Sequence, residues 1–412
     1  MLNRSYLAVV FGFGFRSLLL SILVVLLARA LGPSDFGGYA AAASLASFFA
    51  MFSGFGAGPL HVRDVAHAKL PYAESLNRTL IWIAASLPLL AAASLACAWF
   101  VIPHNVKPLA ITLIVLGELL FYATIDIAMR IMQALERYGS MVFVVCFLPA
   151  LRVAIAALLV LTGTLGLMSW AWVSFSTGAL ACVAVFGAWA WRLRGNLRTR
   201  LPLFQDGLSG LGFAVATASS RVHGDADKVV LARLASTATA GVYTLAYRLV
   251  DVFLLPVSAG VERLLPVLFR QGQHGLRHAL RASAGKIALT LMAASALCAG
   301  VYLAASLLPL ILGDSYRDTV PIAHALSAVP LTMTCWIVVR TLAATSGYER
   351  ATGAVELAGA LFNVGATIVL VLGWDWRGAV AATYLTHLAM VAGFVSYIAW
   401  RARFMPPNAR TC

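Results

Sequence analysis

The chain has 412 residues, of which 61% are hydrophobic and only 11% are charged, with a mean hydropathy of +0.88. Roughly 25% charged residues is usual in a soluble domain, so a water-soluble protein of this length is excluded: it could not cover its surface. The formal net charge of +14 therefore belongs to an integral membrane protein, and long apolar runs make that protein helical.

A helix needs about 20 apolar residues to cross the bilayer. Twelve spans are predicted in chain order, with cores near 8–28, 38–58, 79–101, 109–130, 140–162, 165–190, 208–231, 240–267, 286–311, 320–344, 352–372 and 377–399. The N-terminal run holds Arg4 and Arg16 and is followed by no small-residue cleavage site, so it reads as a retained first helix. The longest polar stretches, near 59–78, 191–207 and 268–285, are too short to fold as separate domains.

The basic residues orient these spans. With the N-terminus in the cytoplasm, cytoplasmic segments carry eighteen of the thirty, among them Arg63, Lys69, Arg192, Arg194, Arg198, Arg200, Arg277 and Arg410. Outer segments carry only Arg29, Lys107, Arg233, Arg317 and Arg377. Such a bias in short loops is the positive-inside pattern and places both termini in the cytoplasm. The excess positive charge then reflects topology and attraction to anionic lipids. Nucleic acid is not an expected partner, since no folded basic domain is present.

The chain also resembles itself. Leu27-Ala28-Arg29 with Gly37 and Tyr39 recurs as Leu231-Ala232-Arg233 with Gly241 and Tyr243, all at an offset of 204 residues. Ala190-Trp191-Arg192-Leu193-Arg194 and Ala399-Trp400-Arg401-Ala402-Arg403 close the sixth and twelfth spans. The expected architecture is all-α, with two parallel six-helix bundles, 1–200 and 201–412, around a central cavity.

Fourteen charges fall within the spans: Arg16, Arg152, Arg221, Lys228, Arg248, Arg263 and Arg340 against Glu118, Asp126, Asp225, Asp227, Asp251, Glu262 and Glu356. Each costs about 2.5–3.5 kcal/mol at the bilayer centre on the insertion scale, so these residues must pair, snorkel or line water. Spacing predicts the pairs Arg221–Asp225, Asp225–Lys228, His223–Asp227, Arg248–Asp251 and Asp126–Arg130 at i,i+3 or i,i+4. Arg16, Arg152 and Arg340 have no acid on their own helix, so another helix or a ligand must supply one. Arg16 follows Gly12 and Gly14 in mid-span. A guanidinium there, over a wet cavity, suits phosphate, because its planar fork binds two oxygens. Glu118 and Glu356 lack helix-local bases, and a buried carboxyl can carry a proton in coupled transport. Pro256 and Pro266 in the eighth span, and Pro88, Pro149 and Pro330 in others, are candidate hinges.

Enzymatic chemistry finds little support. The six cysteines, at 97, 146, 182, 298, 335 and 412, have no metal spacing and read as reduced packing residues. No HExxH, P-loop or GxSxG motif occurs, and Gly12-Phe13-Gly14 fails the dinucleotide fingerprint. Asp225-Ala226-Asp227 has the form of a glycosyltransferase DxD but lies in a predicted span. No cofactor is expected.

The stretch Leu27-Ala28-Arg29-Ala30-Leu31-Gly32-Pro33-Ser34-Asp35-Phe36-Gly37-Gly38-Tyr39 resembles the first loop of bacterial polysaccharide (Wzx-type) flippases. Asp227-Lys228-Val229-Val230-Leu231, Ala240-Gly241-Val242-Tyr243, Ala246-Tyr247-Arg248 and Leu312-Gly313-Asp314-Ser315-Tyr316 are similar to the same family, within the multidrug/oligosaccharidyl-lipid/polysaccharide exporter superfamily. The resemblance implies a bacterial inner-membrane flippase that moves an undecaprenyl-diphosphate-linked oligosaccharide for exopolysaccharide or lipopolysaccharide synthesis. It also implies work beside a polysaccharide polymerase and glycosyltransferases. On that reading Arg16, Arg221, Lys228 and Arg248, with Arg152 and Arg340 as further candidates, contact diphosphate or acidic sugars. Coupling to a proton or Na⁺ gradient falls to Glu118, Asp251, Asp225, Asp227 or Glu356. The rival readings are a drug or cation exporter of the same superfamily, and a membrane polymerase or glycosyltransferase.

Overall fold

The computed structural model describes residues 4–67, 70–103, 107–193 and 204–404. Lys69, Arg194, Arg198, Arg200, Arg410 and Cys412 lie outside them. The described chain is helical: α1 (Arg4–Ala50), α2 (Ala57–Ala66), α3 (Tyr72–Val101), α4 (Pro108–Ala134), α5 (Tyr138–Leu161), α6 (Leu167–Leu193), α7 (Phe204–Leu234), α8 (Thr237–Gly272), α9 (Leu276–Ala305), α10 (Leu308–Leu312), α11 (Thr319–Ala325), α12 (Val329–Ala344), α13 (Glu349–Trp374) and α14 (Trp376–Phe404).

Among the described residues nine helices are long and apolar enough to cross a membrane, or ten if Asp314–Ala325 and Val329–Ala344, bent by 47°, form one span. The count among the described residues differs from twelve in two places. The first two expected spans are joined in α1, broken only at Gly32 (φ 72°, ψ 171°), which Pro33 follows. Gly tolerates the positive φ, and Pro withdraws one amide from the ladder. Helix α7 occupies the seventh span, where Gly210–Ser219 is apolar but short among the described residues. The second span also ends at Ala50 rather than near 58: a turn at Ser53–Gly56 intervenes, with Gly54, Phe55 and Gly56 all at positive φ, before amphipathic α2.

The prolines differ in what they do. Helix α8 runs through Pro256 and Pro266, α3 through Pro88 and α5 through Pro149, whereas Pro330 sits in the first turn of α12. Of these and Pro33, only Pro33 and Pro330 adjoin breaks. Each break is covered by a tyrosine distant in sequence. The Tyr316 hydroxyl donates to the Ala28 carbonyl at 2.8 Å, one of the acceptors left open where the first segment of α1 ends. The Tyr384 hydroxyl donates to Ala325 O at 2.7 Å and accepts from Ala328 N at 3.2 Å, spanning the gap between α11 and α12.

By compactness the chain divides into Met1–Thr244 with Leu310–Tyr316, and Leu245–Pro309 with Arg317–Cys412. Helix α7 therefore belongs to the first unit, although the sequence repeat counts it with the second half. In the first unit, α4 and α6 cross backbone to backbone. A Cβ on Gly117 would collide with the main chain at Ser174, and one on Gly178 with the main chain at Gly117. The start of α8 packs on α1 in the same way. Gly37 lies against Thr237 and Gly241, while Gly241 lies against Pro33 and Gly37. Since Thr237 is 204 residues beyond Pro33, and Gly241 is 204 beyond Gly37, the two copies of the repeated motif meet in a self-complementary contact. Ser34 Oγ and Thr237 Oγ1, 3.0 Å apart, extend it. In the second unit, Leu268, Ala279, Ile287, Val338 and Leu342 form a buried cluster where α8, α9 and α12 meet.

These crossings admit no side chain. Gly37→Ala and Gly241→Ala are each expected to destabilise the protein by about 1–3 kcal/mol, whereas Gly14→Ala, in open space within a helix, should be neutral or stabilising by up to about 1 kcal/mol. Thermal unfolding in detergent measures both.

Candidate functional site

Within the first unit, Glu118 of α4 and Arg152 of α5 find each other. Arg152 Nη1 donates to Glu118 Oε1 at 2.9 Å and to Oε2 at 3.0 Å, and the two side chains are 1% and 2% exposed. The rest of the guanidinium is also engaged. Nε donates to Thr177 Oγ1 at 2.9 Å, Nη2 donates to the Ser174 carbonyl at 3.2 Å, and the Phe121 ring lies 3.7 Å from Cζ. Ser174 Oγ donates to Glu118 Oε1 at 3.2 Å. Three helices thus close on one ion pair, beside the Gly117–Gly178 crossing that brings α6 near enough to contribute. All three guanidinium nitrogens face protein groups here, so Arg152 presents itself as a helix clamp rather than as a ligand contact.

Arg340 of α12 and Glu356 of α13 pair similarly in the second unit, at 2.7 Å from Nη1 to Oε1, but with Arg340 partly exposed. Both inter-helix partners are thus supplied by carboxyls that themselves lacked a helix-local base. Four of the helix-local pairs also form: Arg221–Asp225 at 3.8 Å, Lys228–Asp225 at 2.6 Å, Arg248–Asp251 at 3.6 Å and Arg130–Asp126 at 3.5 Å. Asp227, expected opposite His223, is buried and accepts from the Tyr243 hydroxyl at 2.7 Å. Tyr243, one of the repeated motif residues, thereby ties α7 to the start of α8.

Helix α7 carries the densest charged stripe. The carboxylate of that stripe, Asp225, lies between Arg221 and Lys228 and accepts at 3.4 Å from Ser47 Oγ of α1. Exposure falls along the stripe, from 45% at Arg221 to 18% at Asp225 and 12% at Lys228. Arg16 is half-buried on α1, near its contact with α5. There Gly12 leaves room for Val142, and Cys146 Sγ donates to Gly12 O at 3.3 Å. Gly14 has no close neighbour, so the packing need in that pair falls on Gly12. Ser47, Thr177 and Ser174 are site residues that spacing does not reveal, because an uncharged polar residue in an apolar helix gives no pattern of its own.

A second polar cluster lies where α2 packs on α3. His61 is buried, and its Nδ1 lies 2.8 Å from Ser75 Oγ, while Arg63 pairs with Asp64 at 2.9 Å. Burial lowers His61 to about 4, with Asp64 opposing.

The clamp and the histidine yield separate expectations. Glu118→Gln and Arg152→Gln should each destabilise by about 3–5 kcal/mol, while a Glu118→Leu/Arg152→Leu double variant loses much less than their sum. Unfolding of purified protein in detergent gives the comparison. For His61, the folded state disfavours the proton that the unfolded chain takes up near 6.5. Its stabilising contribution is therefore complete above that pH and is lost progressively as pH falls toward about 4. His61→Gln should flatten the pH dependence of thermal unfolding across that window.

Residues 4–271 match the family described as polysaccharide biosynthesis protein. No curated protein is detectably similar. Among solved structures, an inward-facing multidrug resistance MATE family transporter of the MOP superfamily superposes with a TM-score of 0.71 at 12% identity, covering 95% of this chain and 96% of that one. The MATE multidrug transporter DinF-BH gives 0.61 at 15% identity, covering 97% and 94%. A MOP superfamily transporter from Pyrococcus furiosus, described as having a binding pocket of reverse polarity, gives 0.57 at 14%, covering 95% and 94%. At these identities the likeness is one of fold. The chain therefore belongs to the polysaccharide biosynthesis protein family and carries the fold of MOP superfamily transporters.

Proposed function

We propose that this protein is a flippase that moves an undecaprenyl-diphosphate-linked oligosaccharide across the bacterial cytoplasmic membrane by alternating access, with both termini in the cytoplasm. The observation that carries the reading is the combination of a polysaccharide-biosynthesis family match with a partly exposed cationic stripe in α7. An amphiphile bearing a diphosphate and sugars faces about 30 Å of hydrocarbon, and its headgroup needs cations and water on the way while its tail stays in lipid. Arg221, Lys228 and Arg16 are the contacts we assign to the headgroup, and Arg248 of the second unit is a further candidate. Arg152 is absorbed by its clamp, and Arg340 is held at 2.7 Å by Glu356.

Among the acids proposed for coupling, Glu118 is enclosed with Arg152 and Asp227 with Tyr243. Asp251 is 41% exposed and sits at a loose 3.6 Å from Arg248, which leaves it the most accessible to a proton or Na⁺. The solved relatives of this fold include multidrug transporters, so drug export is the second reading. An organic cation would favour a surplus of accessible acids, whereas the α7 stripe sets two cations against one carboxylate.

In cells lacking the protein, a leaflet-resolved assay is expected to find the lipid-linked repeat unit accumulating on the cytoplasmic side. Normal outer-leaflet delivery with unchanged surface polymer would reject the flippase reading. In the same assay Arg16→Ala should lose most transport and Arg16→Lys should retain part of it. Full transport by both removes Arg16 from the headgroup site.

A further inference from the structure

The α7 stripe has a feature that a plain anion site would lack: its central position is already filled by a carboxylate of the chain itself. Lys228 holds Asp225 in a hydrogen-bonded ion pair at 2.6 Å, Ser47 Oγ reaches the other oxygen at 3.4 Å, and Arg221 stands at 3.8 Å, within ion-pair range but beyond hydrogen bonding. Asp227, two residues on and roughly opposite on the helix, is buried against Tyr243. The exposure gradient means that an anion arriving from solvent meets Arg221 first, then Asp225, with Lys228 beneath. Carboxylate and phosphate oxygens compete for the same charge-assisted donors.

We infer that Asp225 is a placeholder anion: a phosphate-bearing headgroup binds by displacing the Asp225 carboxylate from Lys228 and Arg221, and Asp225 returns when the headgroup leaves. This rests on the flippase reading only for the identity of the headgroup. The physical need is specific. A carrier that delivers an anion must return empty, and two cations left uncovered within a membrane span are costly. A tethered carboxylate covers them during the return step. It also weakens the grip on the substrate so that release is possible. Ser47, on a different helix, fixes where Asp225 rests and so tunes the competition.

The test is a binding titration on purified full-length protein in detergent, followed by calorimetry, with inorganic pyrophosphate and farnesyl diphosphate as parallel probes. Asp225→Asn is expected to bind diphosphate about tenfold more tightly than the parent chain, and Lys228→Gln added to Asp225→Asn should abolish that gain. Unchanged or weaker binding by Asp225→Asn overturns the proposal. If a thermal transition shows Asp225→Asn to be unfolded, Ser47→Ala decides instead. It keeps all three charges and should tighten binding about two- to threefold through the loss of one hydrogen bond, and no gain there overturns the proposal equally. Tighter binding of farnesyl diphosphate than of pyrophosphate assigns the site to a lipid headgroup, and equal binding to phosphate as such; either keeps the placeholder role. The titration involves no movement across a membrane, so its failure and a failure of the leaflet assay are separate results.

Discussion

A charge inside hydrocarbon must be matched, and the first unit is organised around the most enclosed instance of that rule. Glu118 and Arg152 are removed from solvent together, and the remaining donors of the guanidinium are satisfied by α6. The arrangement requires α6 to approach α4 at backbone distance, which the absence of side chains at Gly117 and Gly178 permits. In lipid the hydrophobic effect does not drive helix together with helix. Close packing of small residues and interhelical hydrogen bonds do that instead, and here both act at one crossing. A pair with its geometry fixed this fully holds three helices in register.

The Arg221–Asp225 and Arg248–Asp251 pairs are held more loosely than the clamp, whereas Lys228–Asp225 and Arg340–Glu356 are as close but more exposed. Separations lengthen and exposure rises from the clamp to the Arg221–Asp225 and Arg248–Asp251 pairs. A fully desolvated, fully bonded pair is suited to holding a structure, whereas a partly hydrated pair can exchange partners at modest free-energy change. The division of labour between structural and mobile charges is thus set by how many neighbouring helices contribute donors, not by residue type.

The repeated motif gains a physical meaning from its contacts. Gly37 and Gly241 are equivalent in sequence and adjacent in space, each lying against the counterpart of the other's neighbour. Two copies of one motif, when brought together, form a self-complementary contact in which the same small residues serve both sides. The kink at Gly32–Pro33 belongs to the same region, and Tyr316 from the Leu312–Tyr316 segment satisfies a carbonyl exposed by it. The first motif, its repeat at Thr237–Tyr243 and the Leu312–Tyr316 segment are therefore parts of one packed assembly within the first unit.

How much of this was legible beforehand follows from the range over which sequence fixes geometry. Membrane class, helical content and the pairs Arg221–Asp225, Asp225–Lys228, Arg248–Asp251 and Asp126–Arg130 depend only on composition and on the rise and turn of a single helix, which spacing determines. The repeat, too, could be read by offset alone. Tertiary structure was needed to show that Arg152 belongs to Glu118 and Arg340 to Glu356, that α1 joins two expected spans, and that Tyr316 and Tyr384 cover the breaks. Those contacts depend on where helices cross, and residues with no common periodicity become partners only once small side chains such as Gly117 and Gly241 let two backbones meet.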